Sequence, residues 1–171
     1  MQIFRLDTDL EKNSRAYPDK YTYNQIRESA QAMSTAITLE GGEVKYGSSH
    51  EHHPITQWLR SYENWMECYR VTEAVHDEYQ RRYGSGVHDS WDEIQFIRDE
   101  ASEVLPRTGG SLQPCAFDDR YCHLHPDPTT MDEVVANYRN YVREVKAEES
   151  WFKYNHGDRP EWLSEEVLAE A

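Results

Sequence analysis

Lysine is scarce in this chain. Five Lys stand beside thirteen Arg, both are outnumbered by thirty-two Asp and Glu, and the formal net charge is −14. Phosphate binding runs on Lys and Arg and on the counterions they release, so this balance ordinarily counts against a nucleic-acid partner. The same acid-rich, Lys-poor composition is also what adaptation to high salt produces, because screening removes the self-repulsion of the acids. Charge therefore leaves two readings open: a halophilic protein whose charge says little about its partner, and an acidic protein that binds other proteins.

Long apolar runs are missing as well. No stretch approaches the roughly 18 residues that span a bilayer, and the chain start has no apolar targeting core, so the expectation is a soluble cytoplasmic protein without a membrane partner. The three cysteines are few and odd in number, which fits a reducing compartment better than a disulfide framework. Strand alternation, internal repeats and low-complexity segments are absent. So are a Gly-rich phosphate loop and a nucleophile elbow, which leaves hydrolase and nucleotide-kinase readings without support.

What the chain does have is helical period and aromatic bulk. Hydrophobic residues make up only 37%, but 12 Tyr, 5 Trp and 4 Phe are side chains large enough to close a core between helices, and 171 residues suit one domain spanning 1–171. Asp9 to Arg15 reads as a short helical turn. From Asp19, Tyr23, Ile26, Ala30, Met33 and Ile37 recur at three and four, predicting a helix to Leu39 that Gly41-Gly42 stops, with Arg27, Glu28 and Gln31 on its other flank. Pro54 suits a first helical turn, and Ile55, Trp58, Leu59, Tyr62, Trp65, Met66, Tyr69, Val75 and Tyr79 predict one long core helix ending at Gly84. Ser90 with Glu93 and Thr130 with Glu133 read as capping boxes, each opening a further helix, and Ser164 as the cap of a short final one. Between them, Pro106 to Pro128 reads as a long proline-containing loop. The expected fold is all-α, a compact single-domain bundle of about four to five helices.

Several groups of residues carry chemistry. Asp19-Lys20 opens the first long helix, where Asp is a good first-turn residue and Lys20 is an amine or phosphate clamp. His50, His52 and His53 crowd one loop, and Cys115 with Cys122-His123-Leu124-His125 another, but the gap from Cys115 to Cys122 is wider than zinc-site spacing, so no metal is expected. The Trp58, Tyr62, Trp65, Tyr69 stripe reads as core rather than as a base-stacking platform.

The start Met1-Gln2-Ile3-Phe4-Arg5-Leu6, the helical Arg27-Glu28, Tyr46-Gly47 before His53-Pro54, Trp58, Glu78-Tyr79 with Arg82-Tyr83-Gly84, and Trp151-Phe152-Lys153-Tyr154 together resemble the pyrimidine-dimer DNA glycosylase family, the phage endonuclease V-type enzymes. Uncharacterised viral relatives share Asp19-Lys20, Glu28, Gln31, His53-Pro54 and Trp162. The resemblance covers about residues 1 to 84 with a weaker tail. It implies a virus-encoded DNA glycosylase and abasic-site lyase acting on damaged or modified pyrimidines without metal or cofactor. In that family the α-amine at the chain start, here Met1, forms an imine with sugar C1′. An α-amine has a pKa near 8 and keeps a nucleophilic fraction at neutral pH. Glu28 would stabilise the cationic sugar and move protons, with Lys20 as an alternative amine. Arg5, Arg27, Gln31, His53 and Arg82 would bind DNA. One departure stands out: family members expose a small second residue by removing the initiator Met, whereas Gln2 is large and Met1 is expected to stay. A catalytically silent viral relative that binds nucleic acid or a host protein is the alternative.

Overall fold

A computed structural model describes residues 2–84, 86–118 and 122–163. Met1 and the expected cap Ser164 lie outside these described residues. Seven α-helices occur among them: α1 (Leu10–Arg15), α2 (Asp19–Leu39), α3 (Pro54–Trp58), α4 (Tyr62–Tyr83), α5 (Asp89–Phe96), α6 (Arg98–Val104) and α7 (Met131–Tyr141). A π turn (Val142–Lys146) continues α7, a 3-10 turn covers Glu161–Leu163, and the described residues contain no strand. The protein is all-α. The long helices α2 and α4 pack on each other, α1 lies on α4, and α5 lies on α2.

The α2 period produces its packing directly. Ile26, Ala30, Met33 and Ile37 are fully buried at three- and four-residue spacing, and Gly41 takes the positive φ of +86° that ends the rod. Tyr23, expected on the same stripe, is 47% exposed. The buried line runs through Thr22 and Ile26, and Tyr23 stands about 100° around the helix from Thr22. Its ring meets His88 instead, at 4.5 Å between centroids.

The long helix expected from Pro54 is two helices. The peptide at 59–61 leaves helical geometry because the proline loop inserts there: Tyr62 N–H donates to Pro106 O at 3.1 Å, Ser61 Oγ to Gly109 O at 3.1 Å and Trp58 Nε1 to Ser111 O at 3.0 Å. The Thr130–Glu133 capping box is present, whereas Ser90 is no cap. His88 takes that place, its Nδ1 accepting from Ser90 N–H at 3.1 Å. Glu93 instead accepts from the backbone of Lys45 at 3.0 Å and Tyr46 at 3.4 Å, pinning the loop that follows α2. The helix expected after it bends at Ile97 into α5 and α6.

Residues 2–7 run extended through the core without a partner strand. Their backbone groups, which burial obliges to find partners, are satisfied by side chains. Gln25 accepts from Phe4 N–H at 3.2 Å, Asn13 from Leu6 N–H at 2.6 Å, and Gln113 Nε2 donates to Ile3 O at 2.6 Å. Arg139 Nε closes the set on Leu6 O at 2.6 Å. Ile3, Phe4 and Leu6 are buried as a result.

Candidate active site

Glu28 sits on the solvent flank of α2, half-buried, and one of its oxygens, Oε2, accepts the Gln2 backbone N–H at 2.9 Å. Gln25, three residues earlier, grips the same segment by donating to Gln2 O at 3.0 Å. The chain start is thus fastened to α2 by two side chains on adjacent turns. Gln2 also reaches the far loop, Nε2 to Ala116 O at 3.1 Å.

Around Glu28 lies a pocket of about 350 Å³ lined by Gln2, Phe4, Lys20, Tyr21, Asn24, Tyr141, Lys146 and Trp151. Four aromatic rings form part of its wall, the rest being polar and charged side chains. Phe4 and Tyr21 stack at 4.7 Å, and Trp151 meets Tyr21 edge-on at 5.0 Å. Lys20 Nζ lies 4.6 Å above the Trp151 ring. Burial, and after it the negative charges of Glu149 and Glu28 with Tyr141 between them in weight, push the Tyr21 hydroxyl well above the usual phenol range, so it remains a neutral donor.

Of the residues expected at the site, the pocket brings together Glu28 and Lys20. Met1 lies outside the described residues, and Arg5, Arg27, Gln31, His53 and Arg82 stand apart from its lining. Arg27 is exposed on the side of α2 that faces His88, whose protonation its charge opposes. Gln31 is half-buried one turn further along. His53 caps α3, its Nδ1 accepting from Ile55 N–H at 3.2 Å.

Arg5 and Arg82, expected to bind DNA, both have buried side chains. The Arg5 side chain is 3% exposed and pairs with Glu67. The Arg82 side chain is 0% exposed and donates to Glu78 at 2.6 Å, Tyr17 O at 2.7 Å and Arg15 O at 2.9 Å. Neither guanidinium faces solvent where a phosphate would arrive. Asp19 likewise does not cap α2 with its side chain. Its carboxylate accepts the Asn155 and His156 backbone N–H groups at 2.7 and 3.3 Å, so it fastens the aromatic tail beside Lys20.

Tyr141 and Lys146 belong to the pocket and were not singled out by sequence. The one available signal was the Lys146–Glu149 spacing of an ion pair, which the structure has at 2.8 Å. Among the described residues no group of three or more His, Cys, Asp and Glu is arranged to hold a metal ion, and no helix is long and apolar enough to cross a membrane. A groove of about 380 Å³ between α1 and α4 also exists, but its cations are already paired, Arg15 with Glu11 and Arg81 with Glu78.

The chain matches no protein-family model, no curated protein and no solved structure. The glycosylase likeness therefore rests on the sequence residues alone.

Proposed function

We propose that the Glu28 pocket takes a damaged or modified pyrimidine out of DNA and cleaves its glycosidic bond, in the manner of a DNA glycosylase and abasic-site lyase. The observation that carries this reading is the 2.9 Å hydrogen bond from Gln2 N–H to Glu28, which holds the first residues of the chain against a carboxylate in an aromatic-walled pocket shared with an amine, Lys20. Aromatic faces suit an unstacked base. A carboxylate suits the positive charge that develops on the sugar as the base leaves.

In this reading the nitrogen lone pair of an amine, that of Lys20 or of the Met1 terminus, forms a bond to C1′, and the base departs with the electron pair of the glycosidic bond and takes up a proton. The nitrogen gives up its two protons, one to balance that taken by the base and one that the ring oxygen gains as the sugar ring opens to an imine. Glu28 carries the proton transfers, and Arg27, exposed on the side of α2 that faces His88, meets phosphate of the flanking DNA. An intracellular, virus-encoded enzyme is the setting that the resemblance suggests.

The silent alternative is a scaffold that binds nucleic acid or a host protein, and one observation favours its host-protein form: the Arg5 and Arg82 side chains are buried against Glu67 and Glu78 and so offer no surface cation to phosphate. Incubation with abasic and ultraviolet-damaged DNA followed by borohydride separates the two. The enzyme gives a covalent protein–DNA adduct that Glu28→Gln abolishes, and Lys20→Met removes it where Lys20 is the nucleophile. DNA binding with no adduct from the unaltered protein supports the silent alternative instead.

A further inference from the structure

The pocket holds a second cation that the proposed bond cleavage does not use. Lys146 ends the π turn, in which Ala147 N–H reaches back five residues to Val142 O at 2.8 Å. In an α-helix the close neighbours on one face are three or four apart. The wider turn brings a residue five along over its predecessor, and Lys146 Nζ accordingly lies 5.8 Å from the Tyr141 ring centre. Glu149 takes one of its donors at 2.8 Å and the Tyr141 side chain engages a second, which leaves the ammonium one more. Burial is the largest single influence and works against its charge, but the hydrogen bonds and charges of Glu149 and Tyr141 together outweigh it and raise the Lys146 pKa, so the ammonium form is kept.

Lys20 and Lys146 therefore present two ammonium groups, from the start of α2 and the end of the π turn, to a single space walled by Phe4, Tyr21, Tyr141 and Trp151. On a chain of net charge −14 the two ammonium groups offset the carboxylates of Glu28 and Glu149 beside them, so the pocket is less repellent to an anion than the acidic chain around it. Both carboxylates nearby already accept strong donors, Glu28 from Gln2 and Glu149 from Lys146. Flat aromatic walls with adjacent ammonium groups complement a ring that carries a phosphate. The volume of about 350 Å³ is near the lower end of small-molecule sites, enough for one such unit.

We propose that the pocket binds a single nucleotide unit, its base against Tyr21 and Trp151 and its phosphate on Lys146 with Lys20 as the second cation. This rests on the reading of the pocket as a base-binding site and names Lys146 as the residue that selects a phosphate-bearing ligand.

Calorimetric titration of the full chain with thymidine 5′-monophosphate and with thymidine tests it. One charge-assisted contact predicts that the monophosphate binds about tenfold more tightly. Lys146→Gln is expected to bring the two ligands to nearly equal affinity, and Lys146→Arg to keep most of the preference. Should Lys146→Gln lose its fold, the unaltered protein gives an independent reading: monophosphate affinity falls as salt rises while thymidine affinity stays level. Equal binding of the two ligands, binding of neither, or a preference that survives Lys146→Gln overturns the proposal. A borohydride adduct without phosphate-selective binding removes this proposal and leaves the enzymatic reading standing. Phosphate-selective binding without an adduct does the reverse.

Discussion

Arg82 and Glu78, one turn apart on α4, form an ion pair inside the protein: Arg82 Nε donates to Glu78 Oε1 at 2.6 Å, with side-chain exposures of 0% and 3%. The same guanidinium holds the carbonyls of Arg15 and Tyr17, so it locks α1 and the turn before α2 to α4. Arg82→Met is expected to lower stability by about 2–4 kcal/mol, because it leaves Glu78 with Arg81 as its remaining arginine partner and frees two backbone acceptors. Urea unfolding, read as a lower midpoint at unchanged slope, checks this.

Gly157 reports on the same pair from outside. A Cβ there stands 2.4 Å from Arg82 Cζ, and the guanidinium, held by its hydrogen bonds, has nowhere to move. Gly157→Ala is expected to cost about 1–3 kcal/mol. The cost should shrink when combined with Arg82→Met, a non-additivity that a double-mutant cycle measures.

Acid should weaken the fold in two stages. Burial lowers the pKa values of His76 and His88 below the usual imidazole value. Protons are then bound preferentially by the unfolded chain, and stability is lost as pH falls from about 6.5 through the folded values. Glu78 adds a second loss at lower pH. Burial alone would raise it, but hydrogen bonds from Arg81 and Arg82 outweigh burial and lower it. Its contribution is present above about 4.3 and disappears as pH falls through its folded value. A melting temperature that stays level from about pH 7 to pH 5 contradicts the histidine stage.

Salt should act oppositely on stability and on DNA binding. With net charge −14, raising salt from roughly 0.1 M to above 1 M is expected to raise the melting temperature as acid–acid repulsion is screened. DNA affinity should fall over the same range. Arg27 is exposed, so Arg27→Glu is expected to abolish DNA binding at low salt and leave the melting temperature nearly unchanged. Unaltered binding by that variant favours a protein partner.

The all-helical class was legible because Ile26, Ala30, Met33 and Ile37 announce a period, and Gly41 and Gly84 announce its ends. The break between α3 and α4 was not, since it depends on Pro106, Gly109 and Ser111 arriving from far along the chain. Glu28 and Lys20 were nameable as residues on one helix, but their pocket takes its other wall from Tyr141, Lys146 and Trp151. No spacing on α2 encodes those. Arg5 and Arg82 misled for a related reason: whether an Arg meets water or Glu67 and Glu78 is decided by the tertiary packing around it.

The extended segment 2–7 ties the start of the sequence to residues far along it. Gln2 reaches Ala116, Ile3 is held by Gln113, and Leu6 by Arg139. These contacts close loops of more than a hundred residues, the slow kind to form. During synthesis, then, the α2 face bearing Glu28 emerges early and waits, without its opposite wall, until residue 151 has left the ribosome. A product that ends before residue 141 lacks that wall altogether.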